Sequence, residues 1–524
     1  MTAESQTNLS RRSLWRSRII PLHLSRLLYK FTLFMQNKPN FPRLCVKNSY
    51  SEEKQTQFKP NFKTVRLLFD TIAFCNYHLC FEFYQERPMR YIIDFVYLLA
   101  LVAVSPIALY RMVVHKRYRQ GWAERLGKIS RINPQQKCIW IHAVSVGEVN
   151  ASRTIVEELK NKFSDFEIVM STTTDTGFAR ANTLFGPDLK VFYFPFDFSW
   201  TMYKAFRNIR PSLCLLMELE VWPNLVHIAK RSNIPVVVVN GRLSKKSFAG
   251  YKKLKPVTKN MFQKLSLVLA QTGRYAQRFS EVGVPAENII VTGSLKYDTA
   301  QITDKIEGAD TLADELGIAD EYLWVAGGTG NDEEKILLDT YKTLKQKDNF
   351  SSLRLAIVPR KPERFDEVAQ LIEQAGLPLI RYSQVKDSTR DTQVDTAKSN
   401  SDVVILGDTM GDLRKFYSLA AIIFVGRSLV PMGGSDMAEA AALGKCTIFG
   451  PHAFNFSQTV NVLLAGRGAI LVKDKLALIE TLQKCLTEPD FTRQIAENGR
   501  EIIKNNQGAT QETIQQITKL LETA

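Results

Sequence analysis

Histidine is scarce in this chain: six residues among 524, none in an HExxH arrangement. The seven cysteines (Cys45, Cys75, Cys80, Cys138, Cys214, Cys446 and Cys485) are scattered and form no CxxC pair. Zinc sites need clustered His and Cys ligands, and disulfide frameworks need regularly spaced cysteines. The sequence argues against both, and a reducing compartment is the default expectation. Acidic residues are also in deficit, 53 against 69 Lys and Arg, for a formal charge of +16. That surplus favours anionic partners: nucleic acid, nucleotide sugars or a membrane with acidic lipids. No nucleic-acid motif appears, and much of the excess lies in the first 88 residues and beside one apolar run. Nucleic acid is therefore not expected as a partner. What is present is a large apolar fraction, 45% of all residues, enough for sizeable cores in about two to three domains.

Residues 1–88 differ from the rest. They hold 14 Lys and Arg against 6 Asp and Glu, three of the cysteines, and no clean strand–helix alternation. The Arg-rich, acid-poor start has the composition of a transit peptide. The favoured reading is blander: Met89 directly precedes an apolar run, so residues 1–88 read as an upstream extension outside the functional protein. Residues 89–120 read as a membrane anchor with a basic flank. Ile92 to Tyr110 is apolar except for Asp94, Ser105 and Pro106, close to the length of about 20 residues that spans a bilayer. Arg111, His115, Lys116, Arg117 and Arg119 follow, which places the remaining chain in the cytoplasm and suits anionic membrane lipids. Pro106 and the basic flank argue against a buried core helix. The expectation is a single anchor, either spanning the bilayer or lying in its interface.

From Cys138 apolar runs alternate with amphipathic segments. CIWIHAV, FEIVMST, KVFYFPF, LCLLME, IPVVVVN and SLVLAQ read as strands, with helices between them. A charged stretch from Asp298 to Glu321 interrupts the pattern. It resumes with YLWVAGG, LRLAIVPR, LPLIRYS, VVILGD, AAIIFVG and CTIFG. The alternation predicts an α/β protein with two doubly wound, Rossmann-like halves. They would cover residues 121–305 and 306–524, joined near residue 305. Thr396 to Asp402 reads as a polar loop, and the stretch from about Ala477 as terminal helices.

Ligands of open α/β sheets bind at the carboxyl ends of strands, and that rule sorts the motifs. In the first half it selects Ser145, Gly147 and Glu148 in SVGE, Glu218 and Glu220 in MELEVWPN, and Arg242 in NGRLS. Ser145 reads as a turn or N-cap residue rather than a nucleophile, since no GxSxG surrounds it. Glu148 opens a helix, where the helix end is expected to keep its carboxylate ionised; simple electrostatic capping is the competing account. Trp222 and Pro223 are explained by packing and helix initiation, but two carboxylates at a strand end are not. Arg242, Lys245 and Lys246 suit either a phosphorylated acceptor or a solvated surface. In the second half the rule selects Pro359 and Arg360, then Met410, Gly411, Asp412 and Leu413, where a glycine ahead of a helix exposes N–H groups to a phosphate. It also selects Gly433, Gly434, Ser435, Asp436 and Glu439; a carboxylate at Glu439 would either lie on the surface or bridge a ribose diol.

In order, the chain carries WIHAVSVGE, MELEVWPN, NGRLS, VTGSLKYD, AGGTGNDEE, VPRKPERF, GDTMGDL and MGGSDMAEAAALGKCTIFGPHAFNF. Together they resemble the Kdo (3-deoxy-D-manno-octulosonic acid) transferases of lipopolysaccharide and lipid A biosynthesis, from about Met89 to the C-terminus. The resemblance implies a GT-B fold, two Rossmann-like domains facing across a cleft. It implies an inverting glycosyltransferase at the inner, cytoplasmic membrane, with CMP-Kdo as donor co-substrate, a lipid A precursor as acceptor and no metal or other cofactor. Carried over by position, Glu148 is the general base, and Glu218 or Glu220 positions the acceptor or offsets charge developing on the sugar. Ser145, Gly147 and Arg242 fall on the acceptor side. Pro359 and Arg360 contact cytidine, Met410 to Leu413 the phosphate, and Glu439 the ribose.

The chain departs from the family pattern at three places. Ser435-Asp436 stands where the family has His-Asn after Gly433-Gly434, Gly330 where it has a histidine, and Lys361 where another histidine follows Pro359-Arg360. Two further readings stay open on that account: a related donor sugar, or a membrane-bound binding protein that has lost catalysis.

Overall fold

The computed structural model describes residues 87–114, 119–319, 321–387 and 402–522. The first 86 residues, residues 115–118 of the basic flank and most of the polar loop near residue 400 lie outside the described residues.

The chain divides into two compact units, residues 1–295 with 510–524, and residues 296–509. The division falls ten residues ahead of the expected joint at 305, and the last helix (Ala509–Glu522) belongs with the first unit. There Thr154 and Thr510 share a hydroxyl–hydroxyl hydrogen bond of 2.9 Å.

The first unit is built on seven parallel strands: β1 (Lys137–His142), β2 (Phe166–Thr172), β3 (Lys190–Tyr193), β4 (Leu213–Met217), β5 (Val236–Gly241), β6 (Leu267–Ala270) and β7 (Ile289–Val291). Their order is β3-β2-β1-β4-β5-β6-β7. Continuous runs such as Val236 to Val239 are what strands covered on both faces require, and all six residues of β5 are buried. Trp140 anchors one face of this sheet against Phe192, Phe194 and Phe206, and its indole N–H donates to Ser171 Oγ at 2.8 Å. A buried ion pair, Arg131 Nε to Glu167 Oε2 at 2.7 Å, ties the approach to β1 onto β2.

The second unit repeats the plan with β8 (Tyr322–Thr329), β9 (Leu353–Pro359), β10 (Leu379–Arg381), β11 (Val404–Leu406), β12 (Ile422–Val425), β13 (Cys446–Phe449) and β14 (Ile470–Leu471). Their order is β10-β11-β9-β8-β12-β13-β14, again all parallel. Each sheet has a switch point where successive connections leave in opposite directions: between β1 and β4 in the first, between β8 and β12 in the second.

The expected anchor segment forms a helix, Arg87–Val114. Among the described residues no helix is long and apolar enough to cross a membrane. The polar interruptions in its apolar run each have a structural task. Asp94 accepts hydrogen bonds from Ser199 N–H (2.8 Å), Ser199 Oγ (2.5 Å) and Asn224 Nδ2 (3.0 Å), satisfying donors at the starts of helices Ser199–Ile209 and Pro223–Arg231. Tyr97 donates to Asp197 Oδ2 at 2.9 Å, and Asp197 accepts in turn from Asn224 N–H and Leu225 N–H. Pro106 cannot donate to the carbonyl of Val102; the Ser105 hydroxyl donates to it instead, at 2.9 Å. At the far end Arg119 Nε donates to the Met112 carbonyl at 2.7 Å, a C-terminal cap of favourable charge. Leu98, Leu101, Val102, Leu109 and Tyr110 of the same helix are exposed. Replacing Asp94 by alanine strands donors at two helix starts. Asp94→Ala is expected to cost about 1–3 kcal/mol of stability, read by chemical denaturation, with Asp94→Asn losing less; an unchanged midpoint would show that the helix is not held by this carboxylate.

Candidate functional site

In the first unit the expected residues do converge on one edge of the sheet. Glu148 lies in the first turn of helix Val146–Ala151, just past β1, and is 4% exposed. Its carboxylate accepts from Val144 N–H at 2.9 Å and from Ser145 Oγ at 3.0 Å. Ser145 occupies the N-cap, but its hydroxyl serves Glu148 rather than a backbone donor. Gly147 is exposed, and a Cβ there would meet nothing closer than Ser145 Oγ at 3.9 Å. His142, close in sequence to Ser145, is turned into the core: it stacks on Phe194 and its Nδ1 faces Ser171.

Glu218 and Glu220 follow β4, the strand beside β1. Glu220 is 2% exposed. Glu218 has φ +54°, and so does Asn240 at the end of β5; side chains with a Cβ are strained there, and such strain collects at functional sites. The β5–β6 register also shifts between Val238 and Gly241, an irregularity of the kind that re-aims side chains. Arg242 N–H donates to the Glu218 carbonyl at 3.3 Å.

This grouping overturns one expectation. The helix end does not keep Glu148 ionised in the ordinary carboxylate range. Burial pushes its pKa up, the charges of Glu220 and then Glu218 push it further, and the bonds from Val144 and Ser145 oppose them without winning. A carboxylate whose pKa is raised in this way takes up a proton more readily than an ordinary one, which is what a general base must do.

In the second unit the ends of β8, β9 and β12 are laced together. Gly426 N–H donates to the Gly327 carbonyl (2.8 Å), Ser435 N–H to the Gly426 carbonyl (3.0 Å) and Ser435 Oγ to the Gly328 carbonyl (2.9 Å). Ser435, one of the two departures in the glycine motif, is thus a tether between strand-end loops. Gly433 and Gly434 have φ +96° and +82°, and Cβ atoms there would collide with Asn455 and crowd Ala453. Asp436, the other departure, caps helix Met437–Ala442 by accepting from Ala438 N–H at 3.0 Å. Burial raises its pKa. Glu439, one turn on, is pushed up to about 7, first by burial and then by Asp436, with Arg414 and Arg360 opposing. Arg360 is exposed just past β9; Pro359 before it is buried as that strand's last residue. Arg360, Asp436 and Glu439 are within electrostatic reach of one another.

The 410–413 turn lies past β11, on the other side of β9. Met410 is 69% exposed, Gly411 has φ +97°, and Leu413 begins a short helix, Leu413–Leu419. Asp412 is turned inward. Burial disfavours its charge, but bonds from Lys415 (2.8 Å) and Thr409 (2.7 Å), with Lys386 nearby, hold its pKa below the usual range. Its carboxylate is spent on its own loop.

Two residues escaped the sequence reading. Glu333, fully buried, accepts from the N–H groups of Arg427 (2.5 Å), Ser428 (2.9 Å) and Leu429 (2.9 Å). Arg427 itself follows β12 with φ +61°. The available signal was an arginine directly after a predicted strand in FVGRSL, and the first glutamate of GNDEE. The glycine at position 330 is explained by the same loop: a Cβ there would meet Met432 Sδ at 2.6 Å and Arg427 Cγ at 2.9 Å.

Comparison with known proteins follows from this geometry. Residues 120–299 match the family described as 3-Deoxy-D-manno-octulosonic-acid transferase (kdotransferase). The 3-deoxy-D-manno-octulosonic acid transferase of Haemophilus influenzae is 34% identical over 78% of this chain and 92% of its own. The protein of the same name from Bordetella pertussis is 29% identical over 80% and 97%. Among solved structures, the C-terminal CMP-Kdo binding domain of WaaA from Acinetobacter baumannii is similar to 38% of this chain and covers 96% of its own, at 28% identity and a TM-score of 0.34. Parallel α/β units with polar strand ends, joined to these sequence matches, define a glycosyltransferase. The chain belongs to the 3-deoxy-D-manno-octulosonic acid (Kdo) transferase family.

Glu439 generates a stability test. Its folded pKa lies above the ordinary 4.5, so folding favours the protonated acid. That stabilisation is complete below about pH 4.5 and is lost as pH rises through about 7. Glu439→Gln mimics the protonated form. The thermal midpoint of the variant relative to wild type is expected to rise between pH 5 and pH 8; a difference that stays flat across that range would show that Glu439 titrates normally.

Proposed function

We propose that the chain transfers Kdo from CMP-Kdo to a hydroxyl of a lipid A precursor, with inversion at the anomeric carbon. The observation that carries this reading is the buried Glu148 carboxylate beside Glu220 and Glu218 at the β1/β4 switch point. In the reaction, the acceptor oxygen bonds to the anomeric carbon of Kdo as that carbon's bond to the phosphate oxygen breaks. CMP leaves with the electron pair, and Glu148 takes the hydroxyl proton. A carboxylate with a raised pKa is a stronger base than an ordinary one, so burial serves the step. The bonds from Val144 and Ser145 hold the acid in one orientation. Glu218 or Glu220 positions the acceptor or offsets positive charge developing on the sugar. Arg242 and the open surface at Gly147 suit the acceptor. On the donor side, Pro359 and Arg360 with Glu439 suit a nucleotide, and the exposed Met410–Gly411 turn suits its phosphate. The GT-B class follows from the family and from two parallel α/β units.

We further propose that the protein works at the cytoplasmic face of the inner membrane, with helix Arg87–Val114 lying in the interface. Asp94 and Tyr97 bind this helix to Ser199, Asn224 and Asp197, while Leu98, Leu101 and Val102 remain exposed. Anionic head groups would meet the basic flank. Full-length protein should float with vesicles containing anionic lipid, and Leu98→Ser/Leu101→Ser/Val102→Ser should stay behind in the soluble fraction; equal flotation would remove the helix from the interface.

Catalysis is tested by transfer of Kdo from CMP-Kdo to a lipid A precursor. Glu148→Ala should lower the rate by about 100-fold or more. The wild-type rate should rise with pH through the raised carboxylate pKa, and Glu220→Gln, which removes a neighbouring negative charge, should move that limb to lower pH. Transfer that survives Glu148→Ala would reduce Glu148 to a helix-end charge. Transfer from a different sugar nucleotide, with none from CMP-Kdo, would point to Ser435-Asp436 as the mark of another donor.

A further inference from the structure

Packing does not account for Arg427. It stands at the carboxyl end of β12, beside the end of β8, at the switch point of the second sheet. Its φ of +61° is strained for a residue with a Cβ. Three contacts hold it there. Glu333 takes its N–H and those of the next two residues, Gly434 N–H donates to its carbonyl at 2.8 Å, and its own Nη2 donates to the Met432 carbonyl at 3.2 Å. Glu333 is thus spent on the backbone and does not pair with the guanidinium. Nε of Arg427 is buried with no hydrogen-bond partner.

Arg360, past β9, lies close enough to disfavour the charge of Arg427, after burial, which acts in the same direction. Neither arginine forms an ion pair among the described residues. Glu333 favours the charge of Arg427 from a distance, and Asp436 and Glu439 lie within electrostatic reach of Arg360. Among the described residues, however, neither guanidinium has a carboxylate in direct contact, and the arginine fork matches a carboxylate in two parallel bonds.

We propose that Arg427, together with Arg360, forms the subsite for the carboxylate of the donor sugar, an assignment that rests on the donor reading above. CMP-Kdo carries two acids, a phosphate and a sugar carboxylate. The strand order β11-β9-β8-β12 puts the 410–413 turn and Arg360 on one side of β8 and Arg427 on the other. With neighbouring strands about 4.8 Å apart, the chain positions of Arg360 and Arg427 are about 10 Å apart across the sheet. That spacing suits a ligand with acids on both sides of the bond to be broken. A nucleotide phosphate held toward β9 and β11 leaves the second acid for β12. Gly330 keeps the space open, since a side chain there would displace Met432 and Arg427.

The test is equilibrium binding of CMP-Kdo and of CMP to the full chain by calorimetry, with wild type, Arg427→Gly and Arg427→Lys. Glycine accepts the left-handed backbone without strain, which offsets the lost side-chain bond to Met432, and the thermal midpoint of Arg427→Gly and the intermediate Arg427→Lys control for folding. Arg427→Gly should weaken CMP-Kdo about 10- to 100-fold, the loss of a charge-assisted hydrogen-bonded contact, while CMP changes by less than about threefold. Arg427→Lys should fall between. Arg427→Gly that binds CMP-Kdo like wild type overturns the inference, and so does equal weakening of CMP and CMP-Kdo, which would move Arg427 to the phosphate. Wild-type protein that binds neither ligand sinks the donor reading itself.

Discussion

A parallel sheet wrapped on both faces has one place to hold polar side chains at fixed positions, the carboxyl ends of its strands. Within the strands the buried polar groups are paired, as Glu167 is with Arg131 and Ser171 with Trp140, and the candidate site residues of both units collect at strand ends. Strands such as β5, wholly buried, cannot present a carboxylate mid-strand without leaving it unpaired in the core. Past the last paired residue the backbone is released, and the left-handed turns at Glu218, Asn240 and Arg427 show what is done with that release. They turn side chains at strand ends away from the directions that the sheet would dictate.

The two units use their strand ends in opposite electrostatic senses. The first gathers Glu148, Glu218 and Glu220, and the two later acids, after burial, make ionisation of Glu148 harder. The second gathers Arg360 and Arg427, with burial disfavouring the charge of Asp436 and Glu439 near Arg360. Glu333 shows how the second is afforded: one buried carboxylate orders three backbone N–H groups, and the loop, not the side chain alone, becomes rigid.

Much of this was legible beforehand because parallel strands announce themselves as unbroken apolar runs. VVVVN and LRLAIVP needed no other signal. β7 and β14 were missed because three- and two-residue edge strands with partly exposed residues carry too little pattern. The joint between units was placed by a charge-rich stretch, but it lies where Tyr297 and Ala300 enter the second core, and packing does not alter composition. The last helix is amphipathic in sequence, yet its pattern cannot say which unit it will join. Among the site residues, proximity in the chain suggested that a helix end governs Glu148. Its true neighbours arrive from β4, some seventy positions later, and only the fold brings them close. Arg427 was hidden for a different reason: a left-handed backbone angle leaves no trace in residue type unless the residue is glycine.

The contact between Gly330 and the Arg427–Met432 pair has a consequence for how such a chain can change over time. A side chain at position 330 and the present side chains at 427 and 432 occupy the same volume. A histidine placed at position 330 by one substitution would arrive in filled space and has to displace the Met432 and Arg427 side chains. Loss of the arginine alone would leave a hole where neither group stands. The two positions are therefore coupled in space: a side chain at 330 meets less resistance after Arg427 is shortened than before.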